Sequence, residues 1–200
     1  AGVAGLVLCS AINADKMGAL PMLKPLHGME KAFEAAKASV RVASLVRCSL
    51  HIDHMWLFRR QIATEHKICL PANGAAAFVP VAGADAAHGL CNMLTDPRFP
   101  PRTYELTGPE ATDFAGVART AASLIDSAIV YKQISRKVMV AYLEKQGETC
   151  GNAIAFLADM LEAVDKCLLA EKRGDLEELL GRKPMSVDAY LEKNASDFKP

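Results

Sequence analysis

Short apolar runs alternate with longer helix-forming stretches over the first 135 or so residues, and this constrains the fold more than anything else in the sequence. Val3, Leu6, Val7 and Leu8 form one such run, closed by Cys9-Ser10-Ala11. A brief apolar run ended by small residues reads as a strand buried on both faces. The Gly-, Pro- and Lys-containing stretch 11–26 reads as a loop. A helix follows over 27–39, with Met29, Phe33 and Ala36 on one stripe. "VRVASLVR" (40–47) predicts a strand, and "HIDHMWLFRRQIATE" (51–65) a helix carrying the single Trp. "KICLPANG" and "FVPV" predict short strands around the Asn73-Gly74 turn.

The same alternation continues with a helix over 83–97 that Pro97 stops and a strand over 103–109. Pro109 and Glu110 mark the start of a helix running to about Leu124. A strand spans 128–135, and Ser135 caps the helix that follows. The remainder is helical, with Gly147, Gly151, Gly174 and Gly181 as punctuation. Strands alternating with helices of this length predict a parallel α/β sheet. The expected division is a parallel α/β domain over 1–134 and a helical lobe over 135–200.

Composition removes several classes of function. The net charge is zero, so nothing draws the chain as a whole to nucleic acid or an anionic membrane. No apolar stretch approaches the roughly 20 residues that span a bilayer. The start has neither the basic region nor the apolar run of a signal peptide. The six cysteines are scattered without a C-x-x-C pair, which favours reduced thiols and a cytoplasmic or nuclear setting.

Five stretches together carry a family resemblance: "GVAGLVLCSA" (2–11), "HGMEKAFEAAKASVRVASLVR" (27–47), "FVPVAGADAAHGLCNMLTDP" (78–97), "YELTGPEATDFAGVARTAASLI" (104–125) and "DLEELLGRKPMSVDAYLEKNASDF" (175–198). In this order they resemble the NmrA-like branch of the atypical short-chain dehydrogenase/reductases, over almost the whole chain. The resemblance implies a partial Rossmann-like parallel sheet, from strand four onward, with a mainly helical C-terminal lobe. The three preceding βα units, about 90 residues, carry the Gly-rich phosphate loop in that family, and no glycine run here replaces it.

The resemblance also implies site residues. His27 and Lys31 occupy the catalytic pair's positions, one helical turn apart. His27 stands where related dehydrogenases use Tyr as proton donor, and Lys31 where they use Lys toward the nicotinamide ribose. Ser10 lies at the carboxyl end of the first strand, where such sheets meet ligands. Arg47-Cys48-Ser49-Leu50-His51-Ile52-Asp53-His54 matches a family phrase, R-P-x-x-F-x-E-N, beside the nicotinamide pocket. Ser10, Lys31, Arg47, Cys48 and Ser49 are thus the expected cofactor-binding residues, with NADP the expected cofactor. Cys48, beside Arg47 and two histidines, invites a redox-sensing reading through a depressed thiol pKa. His51 and His54 invite a metal reading, but two ligands without a third do not make a site. Asp85 reads as a structural acid at a helix N-terminus, and Met139, Phe156 and Met160 as core.

Two functions follow. One is an NADP(H)-linked redox-sensing regulator, or a reductase of a small carbonyl or quinone, in which these 200 residues complete no chemistry alone. The other is a non-catalytic interaction module that forms a homodimer or binds a partner protein through the open edge of its first strand. The missing half supplied by a separate chain is a third arrangement. Neither function calls for direct nucleic-acid contact or a membrane.

Overall fold

In the computed structural model, which describes residues 5–40, 42–147 and 150–199, the first apolar run is strand β1 (Gly5–Ala11). Val3, read as part of that strand, and Arg41, read as part of the second, lie outside the described residues. β1 pairs in parallel with β2 (Val42–Cys48), from Gly5 opposite Val42 to Ala11 opposite Cys48. β2 pairs in parallel with β4 (Thr103–Leu106), so the sheet order is β1-β2-β4. A separate parallel pair joins β3 (Lys67–Leu70) to β5 (Val130–Gln133). The α/β class and the parallel sheet are as the alternation predicts.

Helices cover both faces of the three-stranded sheet. On one face, Glu30 of α1 (Lys24–Ala36) reaches Arg47 of β2. On the other, Val46, Tyr104 and Leu106 pack with Ala86 and Met93 of α3 (Gly83–Thr95) and with Leu176 and Leu179 of α7 (Asp175–Leu180). A larger apolar cluster joins α2 (Arg59–Glu65), α4 (Phe114–Ile125), α5 (Arg136–Lys145), α6 (Gly151–Asp165), α8 (Val187–Lys193) and α9 (Ala195–Phe198). No described helix is long and apolar enough to cross a membrane.

Four expectations need correction. The stretch 11–26 runs mostly as turns, as a loop would, but part of it is core and its last three residues already belong to α1. Successive backbone turns join Met17 to Ala14, Leu20 to Met17 and Leu23 to Leu20. Three residues per turn stack Ala14, Met17, Leu20 and Leu23 on one side, and each is at most 1% exposed. Pro25 then enters the first turn of α1, which begins three residues before His27.

The predicted helix 51–65 is a 3₁₀ segment, Ile52–Phe58, that becomes α-helical at Arg59. Ile52, Met55 and Phe58, spaced by three, are the residues buried, and a threefold helix eclipses i and i+3. "FVPV" forms only isolated bridges, Phe78 to Thr112 and Val81 to His51, because Pro80 has no N–H to continue a ladder. Finally, α4 starts at Phe114 rather than Pro109. Asp113 caps it by accepting from Gly116 N. Pro109 belongs to the crossing that follows β4, where Gly108 N donates to Pro80 O at 2.8 Å. An added Cβ at Gly108 would collide with that carbonyl. Ser135 caps α5 as expected, accepting from Val138 N.

Candidate functional site

Parallel strands direct their carboxyl ends, and the turns that follow, toward one edge of the sheet, where ligands of open α/β folds bind. Here β1 ends in Cys9-Ser10-Ala11, and β2 runs through Cys48 into Ser49. A cleft of about 370 Å³ opens at that edge. Its floor is these strand ends, and one wall is His51 and His54. α3 supplies Gly83, Ala86, Ala87 and Leu90, while Phe156 and Met160 of α6 close the far side.

Two seryl hydroxyls in the cleft lack partners. Ser10 Oγ and Ser49 Oγ are both buried, and neither makes a hydrogen bond within the described structure. A buried hydroxyl without a partner is destabilising. Two of them at the ends of adjacent strands, both lining one cleft, mark where a polar group from a ligand would sit.

Burial disfavours the charged form of both histidines. Burial lowers the His51 pKa, with Asp53 opposing. Burial, reinforced by His51, lowers that of His54. Both rings also border a small, wholly apolar hole lined by Met55, Phe58, Phe78 and Phe114. His54 Nδ1 lies 3.0 Å from His51 O. A carbonyl oxygen only accepts, so Nδ1 carries the proton and Nε2 is left as an acceptor. Asp53 is occupied elsewhere, accepting from Gly83 N at 2.7 Å at the start of α3. Among the described residues, no group of three His, Cys, Asp or Glu side chains is placed to hold a metal ion.

The structure puts the expected site residues in two places. Ser10, Cys48 and Ser49 line the cleft; His27, Lys31 and Arg47 do not. Lys31 is exposed on α1. His27 Nδ1 is buried without a hydrogen bond and lies 3.9 Å from the Glu30 carboxylate. Arg47 is bidentate to Glu30, with Nε to Oε1 at 2.9 Å and Nη2 to Oε2 at 2.6 Å. Burial pushes the Glu30 carboxyl upward, but Arg47 outweighs it and holds the group below the usual range. The nearby Ser10 hydroxyl helps, although it forms no well-directed hydrogen bond.

Cys48 is not the activated thiol that its neighbours in sequence suggest. Arg47 points to the opposite face of the sheet, and burial, with Cys9 nearby, pushes the Cys48 pKa up to about 12. Met139 and Met160 are core, as read from the sequence, and Phe156 packs against the same cluster; Phe156 and Met160 also line the cleft. Glu30 was missed. Asp85 does sit in the first turn of α3, and it also accepts from Arg182 Nη2 and Met185 N, each at 2.6 Å. Asp159, also missed, is fully buried and binds Met22 N at 2.7 Å together with Arg136.

No family model matches the chain, and no curated protein matches it either. Solved structures do. The NADPH complex of the quinone oxidoreductase from Escherichia coli superposes with a TM-score of 0.81 at 19% identity, over 96% of this chain and 66% of that one. The NADP(H) complex of triphenylmethane reductase from Citrobacter sp. gives 0.79 at 17% identity, over 96% and 65%. The negative transcriptional regulator NmrA, in complex with NADP, gives 0.62 at 11% identity, over 97% and 67%. The chain therefore has the Rossmann-like fold of these structures and spans about two thirds of their length.

Proposed function

We propose that this chain, with the fold just assigned, forms the nicotinamide side of an NADP(H)-binding protein that acts as a redox-sensing regulator. The observation that carries the reading is the pair of unpaired hydroxyls, Ser10 Oγ and Ser49 Oγ, in a cleft at the carboxyl ends of adjacent parallel strands. The solved structures of this fold named above carry NADP(H) in their complexes.

The residues present fit one end of the dinucleotide. A cleft of about 370 Å³ has room for a nicotinamide and its ribose. Ser10 and Ser49 would meet hydroxyl or amide groups, while Ala86, Ala87 and Leu90 would flank the ring. No charged side chain lines the cleft, so the phosphates would be held by other residues. The dinucleotide, when bound, supplies a hydride to a carbonyl- or quinone-type acceptor or reports its own oxidation state to a partner. Reporting is favoured here because the expected donor pair is displaced. Lys31 faces solvent, and His27 turns its buried nitrogen toward Glu30 rather than into the cleft.

The test is titration of NADPH, followed by nicotinamide fluorescence, and of NADP⁺, followed by calorimetry, into this chain and into a form carrying a Gly-rich phosphate loop. Binding that Ser49→Ala weakens, without substrate turnover, supports the reading. Absence of binding in the longer form removes it. A second reading, a homodimer or partner complex through β1, rests on that strand's outer edge, which has no neighbouring strand among the described residues. Light scattering on the same samples distinguishes it.

A further inference from the structure

We infer that His54 selects what enters the cleft, its Nε2 accepting a hydrogen bond from an uncharged, ring-bearing ligand that carries one O–H or N–H donor. The inference rests on the proposed function only for treating this cleft as a binding site. It goes further by naming the ligand chemistry and the residue that reads it.

Two features of the cleft set the class of ligand. Its lining is mainly apolar, from Leu26 of α1, through Ala86, Ala87 and Leu90 of α3, to Phe156 and Met160 of α6. No side chain there carries charge, since Arg47 is committed to Glu30 and Lys31 lies outside. A carboxylate or phosphate would lose its water and gain no cation. A flat, neutral ring buries apolar surface at no such cost.

His54 then distinguishes among neutral rings. The 3.0 Å contact to His51 O fixes the proton on Nδ1. His51 itself makes no side-chain hydrogen bond among those of the described residues, so its tautomer is not fixed in this way. His54 lines the cleft, its Nε2 makes no hydrogen bond among the described residues, and a ligand seated against it would remove that nitrogen from water. A donor on the ligand replaces that water, whereas a ligand that only accepts leaves the nitrogen unpaired. Ser10 and Ser49 cannot make the same distinction, because a hydroxyl rotates to donate or accept.

The experiment compares naphthol with its methyl ether, which lacks the donor and carries one added methyl group, so that the His54→Leu variant serves as the control for size. Each is titrated by ligand-observed NMR into the wild-type chain and into His54→Leu, while the imidazole nitrogen shifts of the wild-type protein are followed. Naphthol is expected to bind about tenfold more tightly than the ether, to move the Nε2 signal, and to lose its advantage in His54→Leu. Equal affinities in the wild type, binding of neither compound, a preference that survives in His54→Leu, or nitrogen shifts that put the proton on Nε2 would each overturn it. The nitrogen shifts need no variant, so they decide the matter even if His54→Leu does not fold. Neither probe involves a dinucleotide, so failed NADPH binding and failed selectivity are separate results.

Discussion

The two ends of the residue pair Ser10–Arg47, neighbours in register across β1 and β2, lead into opposite kinds of chemistry. From Arg47 a chain of charges crosses the sheet. Glu30 pairs with Arg47, Arg47 with Glu105 at 3.5 Å, and Glu105 with Arg173 at 2.9 Å. Every carboxylate in that chain has a cation, and the chain ties α1, β2, β4 and the segment before α7 together. From Ser10 begins the cleft, which holds no Asp, Glu, Lys or Arg, two histidines and two unpaired hydroxyls. The contrast separates scaffold from site. On the charged side the carboxylates are met within the protein, although His27 Nδ1 and Arg173 Nε there lack a hydrogen bond, whereas in the cleft two unpaired hydroxyls meet at adjacent strand ends beside open space.

The largest effect is expected on the charged side. Glu30 is 3% exposed, so Arg47→Ala leaves a buried carboxylate without its bidentate partner. Breaking such a pair from one side costs on the order of 3 kcal/mol, read as a shift in the denaturant midpoint. The double variant Glu30→Met/Arg47→Leu removes both charges and is expected to recover most of that loss. If the double variant is as unstable as the single one, the charge chain contributes by shape rather than by pairing.

Acid is expected to separate the two regions in sequence. The pKa values of His51 and His54 are lowered in the folded state, so the unfolded chain takes up their protons first. The stability they contribute is complete above about 6.5 and is lost as pH falls from there through the folded pKa values. Glu30 is also lowered, but from a starting value of 4.5. Its contribution is complete above that value and is lost only as pH falls through its own lower folded pKa. Hydrogen exchange followed against pH should show the cleft segment 49–58 loosening before α1 and β2 do. A His51→Phe/His54→Leu variant should lose the first stage and keep the second. Simultaneous loosening of both regions would mean that they are not distinct.

These regions were not equally legible in the sequence. The sheet was, because strand and helix periods differ and each leaves its own pattern of apolar residues. The 3₁₀ segment 52–58 looks like α-helix in a short window, and the buried side of the 14–23 loop is hidden for the same reason, because apolar spacing by three fits neither the helix nor the strand period. Ser10 is legible from its position, since ligands meet parallel sheets at carboxyl ends, and Ser49 from the family phrase in which it lies. Glu30 was overlooked because a buried acid in a helix looks like a solvated one until its partner, 17 residues on, is brought beside it. Arg47 and Cys48 show the opposite error. They are adjacent in sequence, but the pleat sends them to opposite faces, so the arginine's charge is spent on α1 while the thiol stays buried and protonated.

The smallest effect is also the sharpest test of the contrast, because it compares one substitution in two settings. Ser135 and Ser186 cap helices, accepting from Val138 N and Ala189 N. Replacing either with Ala frees a backbone donor and should cost about 1 kcal/mol. Ser10 and Ser49 hold no such bond. Ser49→Ala removes a buried hydroxyl that has no partner, so stability should stay within about 0.5 kcal/mol or rise slightly. Ser10→Ala should cost a little more, because its hydroxyl also helps keep the Glu30 carboxylate charged. Thermal unfolding of the four single variants gives the comparison directly. Two cap losses beside two near-neutral cleft changes would mean that the cleft hydroxyls are kept for a ligand. A Ser49→Ala loss as large as the cap losses would mean that its hydroxyl serves the fold, and the cleft would then lose its main mark as a site.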